Sequence, residues 1–130
     1  MKRRTAREKA LQAMYQLEIG KGEIQDALNS VLDGRPSDEY LELLVKGTQE
    51  NKEEIDGTIR DNLDNWKIER LANIDRNLLR IAVYEMIYCE QVPINVAMDE
   101  AIEIAKVFGD DQSSRFVNAV LSKVKDQLNK

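Results

Sequence analysis

Lys2, Arg3, Arg4, Arg7 and Lys9 place five cations among the first nine residues, against a single acid, Glu8. The whole chain has a formal net charge of −5, so the remainder, with 14 basic and 23 acidic residues, stands at −9. Cations at a helix start work against the macrodipole by roughly 0.3 kcal/mol each or more, so local helix stability does not account for them. Phosphates suit such a cluster, and free amides at a helix start add to the pull. Single-stranded RNA fits if aromatic faces lie nearby to stack on splayed bases. Tyr15 and Phe116 are the candidates, because neither falls at the centre of an apolar helical stripe. The competing reading is a solvated basic tail and two rim-of-core aromatics.

The residues that are missing exclude much else. With no histidine, a Ser–His or Cys–His nucleophile and a Glu-x-x-His diiron site are ruled out. Cys89 is the only cysteine, which excludes an intramolecular disulfide and a cysteine-rich zinc site. Gly20-Lys21-Gly22 leads into Glu23 rather than Lys-Ser/Thr, so it is no phosphate loop. Carboxylates are plentiful, but no pair stands apart from a solvated face. The chemistry is that of a binding protein without a cofactor, not of an enzyme.

The elements that must carry these residues read as helices throughout. Two prolines, six glycines and 42% hydrophobic residues in 130 favour one all-α domain, with room for two sub-bundles at roughly 1–64 and 65–130. Thr5-Ala-Arg-Glu8 matches a capping box and predicts a first helix over about 6–19. Its alanines (Ala6, Ala10, Ala13) and Leu17 form one stripe, while Leu11, Tyr15 and Ile19 form a second almost opposite, with Met14 between. That helix is either sandwiched between layers or keeps part of the second stripe for binding. A second helix is expected over 23–32 and a long third over 38–63, with a break near Gly47 or Gly57. A short helix follows around 67–72, then a central helix, apolar on every side from Leu78 to Tyr88, whose polar intruders are Arg80 and Glu85. Ala97, Ala101, Ile104, Ala105 and Phe108 share a buried face of the next helix, with Gly109 at its end. The last helix begins near 111–113 and buries Val117, Val120, Leu121, Val124 and Leu128. No stretch is apolar for 18 residues, and the basic start leads into no signal-peptide core, so a cytoplasmic protein is expected.

Three segments carry a resemblance: AREKALQAMYQLE, LLRIAVYEMIY and VPINVAMDEAIEIAKVFGDDQSSRFVNAVLSKV. In this order they resemble the NusB family of bacterial transcription antitermination factors over essentially the whole chain. The resemblance implies about seven helices in two packed bundles and no catalysis. It also implies binding to the boxA element of ribosomal RNA leader transcripts, with NusE, a small-subunit ribosomal protein, as partner. Other Nus factors and RNA polymerase complete the assembly. Carried onto this chain, it makes Arg3, Arg4 and Arg7 phosphate contacts and Tyr15 an RNA contact. Arg80 matches a basic position near the RNA; equally, its stem packs on Ile87 with the guanidinium reaching outward. Gln112, Ser113, Arg115 and Phe116 fall where the family lies against boxA. Asp75 falls near the junction of RNA and NusE, and NusE is expected on the second half of the chain, including the helix of Arg76 and Arg80. The loop before the last helix reads Asp-Asp-Gln here, and an amide at position 112 donates where a carboxylate would repel.

Two rivals keep the helical fold. A NusB-like domain of a ribosomal RNA methyltransferase would be followed by a nucleotide-cofactor domain, whereas this sequence ends at Lys130, directly after the expected last helix. A purely protein-binding helical adaptor would direct its basic end at an acidic partner. Whether the second stripe of the first helix serves a dimer is left open.

Overall fold

A computed structural model describes residues 1–20 and 22–128; Lys21, Asn129 and Lys130 lie outside the described residues. Seven α-helices and one short 3-10 turn account for the regular structure, with no strand among the described residues. The helices are α1 (Arg3–Gly20), α2 (Ile24–Leu32), α3 (Glu39–Glu50), α4 (Lys52–Asp61), α5 (Asn73–Tyr88), α6 (Ile94–Phe108) and α7 (Ser113–Gln127), with the 3-10 turn Ile68–Arg70 before α5. The all-α expectation holds.

α5 packs against α1, α3, α4, α6 and α7, which is why its apolar residues point in every direction. α1 lies against α2, α3 and α5, and α6 and α7 pair closely with each other. One continuous apolar core runs through both groups of helices, from Ala10 and Leu11 through Leu44, Leu79 and Val83 to Ile104 and Leu121. α1 is sandwiched only along its first two-thirds: Leu11 and Met14 are buried, but Tyr15 and Ile19 emerge, 43% and 60% exposed.

Three local expectations are corrected. α1 begins at Arg3, so Thr5 lies inside the helix and forms no capping box; the amide of Ala6 already donates to the carbonyl of Lys2 at 2.9 Å. Ion pairs from Arg4 and Arg7 to α6 and α5 hold that first turn helical. The long third helix breaks at Asn51 and at neither glycine. The Asn51 side-chain amide donates to the carbonyl of Gly47 at 2.8 Å, closing α3, and Glu53 and Glu54 then suit the N-terminus of α4. Gly47 instead makes room: a Cβ there would overlap the Tyr84 hydroxyl and ring. Phe108, expected in the buried face of α6, is more than one-third exposed at the helix end.

Candidate nucleic-acid interface

The start of α1 forms a corner with α3, α5 and α6. Lys2 is exposed, and the Arg3 guanidinium lies 4.3 Å from the ring centroid of Tyr40. Arg4 grips Glu100 with both Nε and Nη2 at 2.6 Å, crossing from α1 to α6. Hydrogen bonding by Arg4 is the main reason the Glu100 carboxyl is held below its ordinary pKa.

Arg7 corrects the expectation of three phosphate-binding arginines. It is only 4% exposed, and Glu85 opposite it on α5 is 1% exposed. Its Nε and Nη2 donate to Glu85 at 2.9 and 2.8 Å, and Nη1 reaches Glu100 at 3.2 Å. The Tyr40 hydroxyl donates to the same Glu85 carboxylate; burial and that bond push its pKa well above the usual phenol range. A charge taken from water must be paired, and here both members are. Arg7 joins α1 to α5 and has no free face for a phosphate.

Arg80 is corrected in the same way. It is 6% exposed, with Nε and Nη2 on the two oxygens of Asp56 at 2.8 and 3.0 Å and Nη1 on Asn77 Oδ1 at 3.0 Å. Its guanidinium is therefore taken up within the protein and does not reach outward past Ile87. Arg76 donates to Glu18 of α1 at 2.8 Å and to the carbonyl of Leu71 at 2.6 Å, so it fastens the 3-10 turn to the bundle. Burial pushes the Glu18 carboxyl up, but the hydrogen bond from Asn77 and the charges of Arg76 and Arg80 outweigh it and hold the pKa low.

The opening of α7 divides its residues. Ser113 is buried and occupied: its hydroxyl accepts from the amide of Asp110 at 3.0 Å and faces Asp110 Oδ1 at 3.3 Å. It ties the Gly109–Gln112 turn, so its hydroxyl is buried and occupied within the protein instead of facing outward for a ligand. Gln112 and Arg115 are exposed, and Phe116 is half-buried. No side chain of the N-cap residue closes this helix and its first turn holds no acid, but the Asp110 carboxylate stands just before it and accepts from the amide of Gln112 at 2.8 Å, so only the amides of the first turn beyond it remain for an anion.

Phe116 and Gln112 share a cleft of about 350 Å³ with Asp75, Asp110, Arg70 and Trp66. A second cleft, of about 200 Å³, lies across Phe116 and Trp66, beside the Lys123–Asp64 pair. Asp75 Oδ1 is buried without a hydrogen-bond partner; burial raises the pKa of this carboxyl, the nearby Ser113 hydroxyl opposes the rise, and Asp110 adds to it. Trp66 is 60% exposed between the clefts. It is absent from the residues the sequence singles out, yet it carries a signal there: the sole tryptophan, among Asp64, Asn65 and Lys67, has no stripe to bury it.

The candidates fall in three places. Lys2, Arg3 and Arg4 sit at the start of α1, and Glu100 on α6 is about 12 Å, eight helical residues, from the end of that helix, where Gln112, Arg115, Phe116 and Asp75 gather. Tyr15 is about 18 Å along α1 from Arg3, in a separate groove with Ile19, Glu23 and Asp26.

Comparison with known proteins agrees with this architecture. Residues 4–126 match the NusB family. The chain is 55% identical over 128 residues to transcription antitermination protein NusB of Bacillus licheniformis, covering 98% of this chain and 99% of that protein. A structure of T. maritima NusB superimposes with a TM-score of 0.89 at 34% identity, over 98% of this chain and 92% of that one. A chain from the crystal structure of antitermination factors NusB and NusE in complex with dsRNA superimposes with a TM-score of 0.85 at 25% identity, over 96% of each chain. The chain belongs to the NusB family.

Proposed function

We propose that this chain is a transcription antitermination factor that binds boxA RNA of ribosomal leader transcripts together with NusE. The observation that carries the reading is the pairing of an exposed cationic corner with an aromatic cleft at a helix start. Lys2 and Arg3 supply the first, with Arg4 beside them held on Glu100; Phe116, Trp66 and Gln112 line the second, with Arg115 exposed in the first turn of α7, at the other end of α6. Phosphate contacts place the strand, and unstacked bases rest on the aromatic faces. Two clefts flanking Trp66 and Phe116 favour a single strand over a duplex, whose bases are already stacked. Arg7, Arg80, Arg76 and Ser113 act behind this surface by fixing α1, α5 and the turn before α7.

NusE is assigned to the second half of the chain beside Asp75, and the pair joins other Nus factors on RNA polymerase, in the cytoplasm where transcription runs. Support for a joint RNA and NusE surface comes from the likeness to the NusB–NusE–dsRNA structure. No helix among the described residues is long and apolar enough to cross a membrane. Equilibrium binding of boxA and scrambled RNA, with and without NusE, tests the reading. Selective binding to boxA, strengthened by NusE, is expected. Equal binding to both RNAs would leave a non-selective polyanion surface, and no binding would favour a protein-binding adaptor.

A further inference from the structure

We infer that Glu100 sets the affinity of the cationic corner for RNA, because it holds Arg4 in the same two-pronged grip that a phosphate would need. Both forward-facing nitrogens of Arg4, Nε and Nη2, are on the Glu100 oxygens at 2.6 Å. A phosphate presents the same pair of acceptors to the same fork, so carboxylate and phosphate compete for one arginine. Arg4 is well placed for the exchange, because its side chain remains 46% exposed while it makes this pair. With nearly half of the Arg4 side chain in water, exchanging its carboxylate for a phosphate disturbs the fold less than breaking the buried Arg7–Glu85 pair would.

Glu100 differs in this from Glu85. Arg7 donates to Glu85 from both Nε and Nη2, and only Nη1 touches Glu100, at 3.2 Å. Neutralising Glu100 therefore leaves the buried pair satisfied, and a glutamine keeps an oxygen for Arg7 Nη1. The corner as built offers Lys2 and Arg3 outright and withholds Arg4. RNA approaching it meets a carboxylate of its own sign beside the arginine it needs. Removing that charge adds one phosphate contact and removes one repulsion.

The inference rests on RNA binding but not on boxA selectivity, since phosphates carry no sequence. Glu100→Gln, Arg4→Ala and the double variant are titrated with boxA and with scrambled RNA across a salt series. For Glu100→Gln one added contact steepens the plot of log K against log salt by about 0.7, which is roughly fivefold tighter binding at 0.1 M salt. In the double variant the steepening disappears, and only the smaller gain from the lost repulsion remains. An unchanged or weaker Glu100→Gln affinity, or a steepening that survives Arg4→Ala, overturns the inference. The steepening is read on either RNA, whereas the antitermination reading stands or falls on the preference for boxA. Loss of that preference alone leaves the Glu100 result intact.

Discussion

Replacing Arg7 by methionine removes a cation that the linear sequence assigns to RNA and the structure assigns to the core. Glu85 would then be left 1% exposed with only the Tyr40 hydroxyl against it. Breaking a buried ion pair from one side costs about 3–5 kcal/mol. Tyr40 still donates to Glu85, which puts the expected loss at the lower end of that range, near 3 kcal/mol. For 130 residues, an unfolding entropy of about 2.1 cal/mol/K per residue turns that loss into a fall in Tm of about 11 °C. Arg7→Met/Glu85→Leu removes the stranded charge and should lose less than the single variant, keeping a deficit of about 1–2 kcal/mol from the Tyr40 hydroxyl left without its acceptor. Urea unfolding followed by circular dichroism reads all three proteins, with equal m-values as the sign that the unfolding transition is the same. A loss under 1 kcal/mol for Arg7→Met, or a double variant as damaged as the single, would refute the buried-pair reasoning and return Arg7 to the RNA.

Further outcomes follow from local geometry. Gly47→Ala drives a Cβ into Tyr84 and should cost about 1–3 kcal/mol, whereas Gly57→Ala meets open space and should gain up to about 1 kcal/mol; thermal melts of the pair separate packing from helix propensity. The raised pKa of Asp75 means the folded state takes a proton more readily than the unfolded chain. That stabilisation is full below the unfolded value of about 3.9 and is lost as pH rises through the folded value. Asp75→Asn should therefore be more stable than the parent at pH 7, with the difference vanishing near pH 3; a pH-independent difference in urea midpoint would contradict this. Gln112→Asp should weaken boxA binding, because a further carboxylate beside that of Asp110 at the start of α7 repels the phosphate that the Gln112 side-chain amide can meet.

The helices were legible because their signals are local. Apolar residues on all sides of 78–88 announced the central helix, and the ends of α2 and α6 fell at the expected residues. The break at Asn51 was not legible, since helix propensity marks Gly47 as weak while the Gly47–Tyr84 approach depends on a residue 37 positions away. The same holds for the site. A run of arginines in sequence looks like one cationic surface, but side chains three residues apart on a helix lie on one side, and α5 and α6 lie against it with Glu85 and Glu100. Long-range partners decided which arginines stayed outside, and those pairings have no signature within either segment. The burial of Ser113 has a nearer reason: a serine just after an Asp-Asp-Gln turn serves the turn as readily as a ligand.

The central claim is that RNA meets the exposed cations and not the buried ones. Its most direct test is the salt dependence of boxA binding for the parent, Lys2→Ala/Arg3→Ala and Arg7→Met, measured at a temperature where all three are folded. Loss of two phosphate contacts should flatten the slope by about 1.4 in the double variant, while Arg7→Met keeps the parent slope. An unchanged slope without Lys2 and Arg3, or a flattened one without Arg7, would contradict the account.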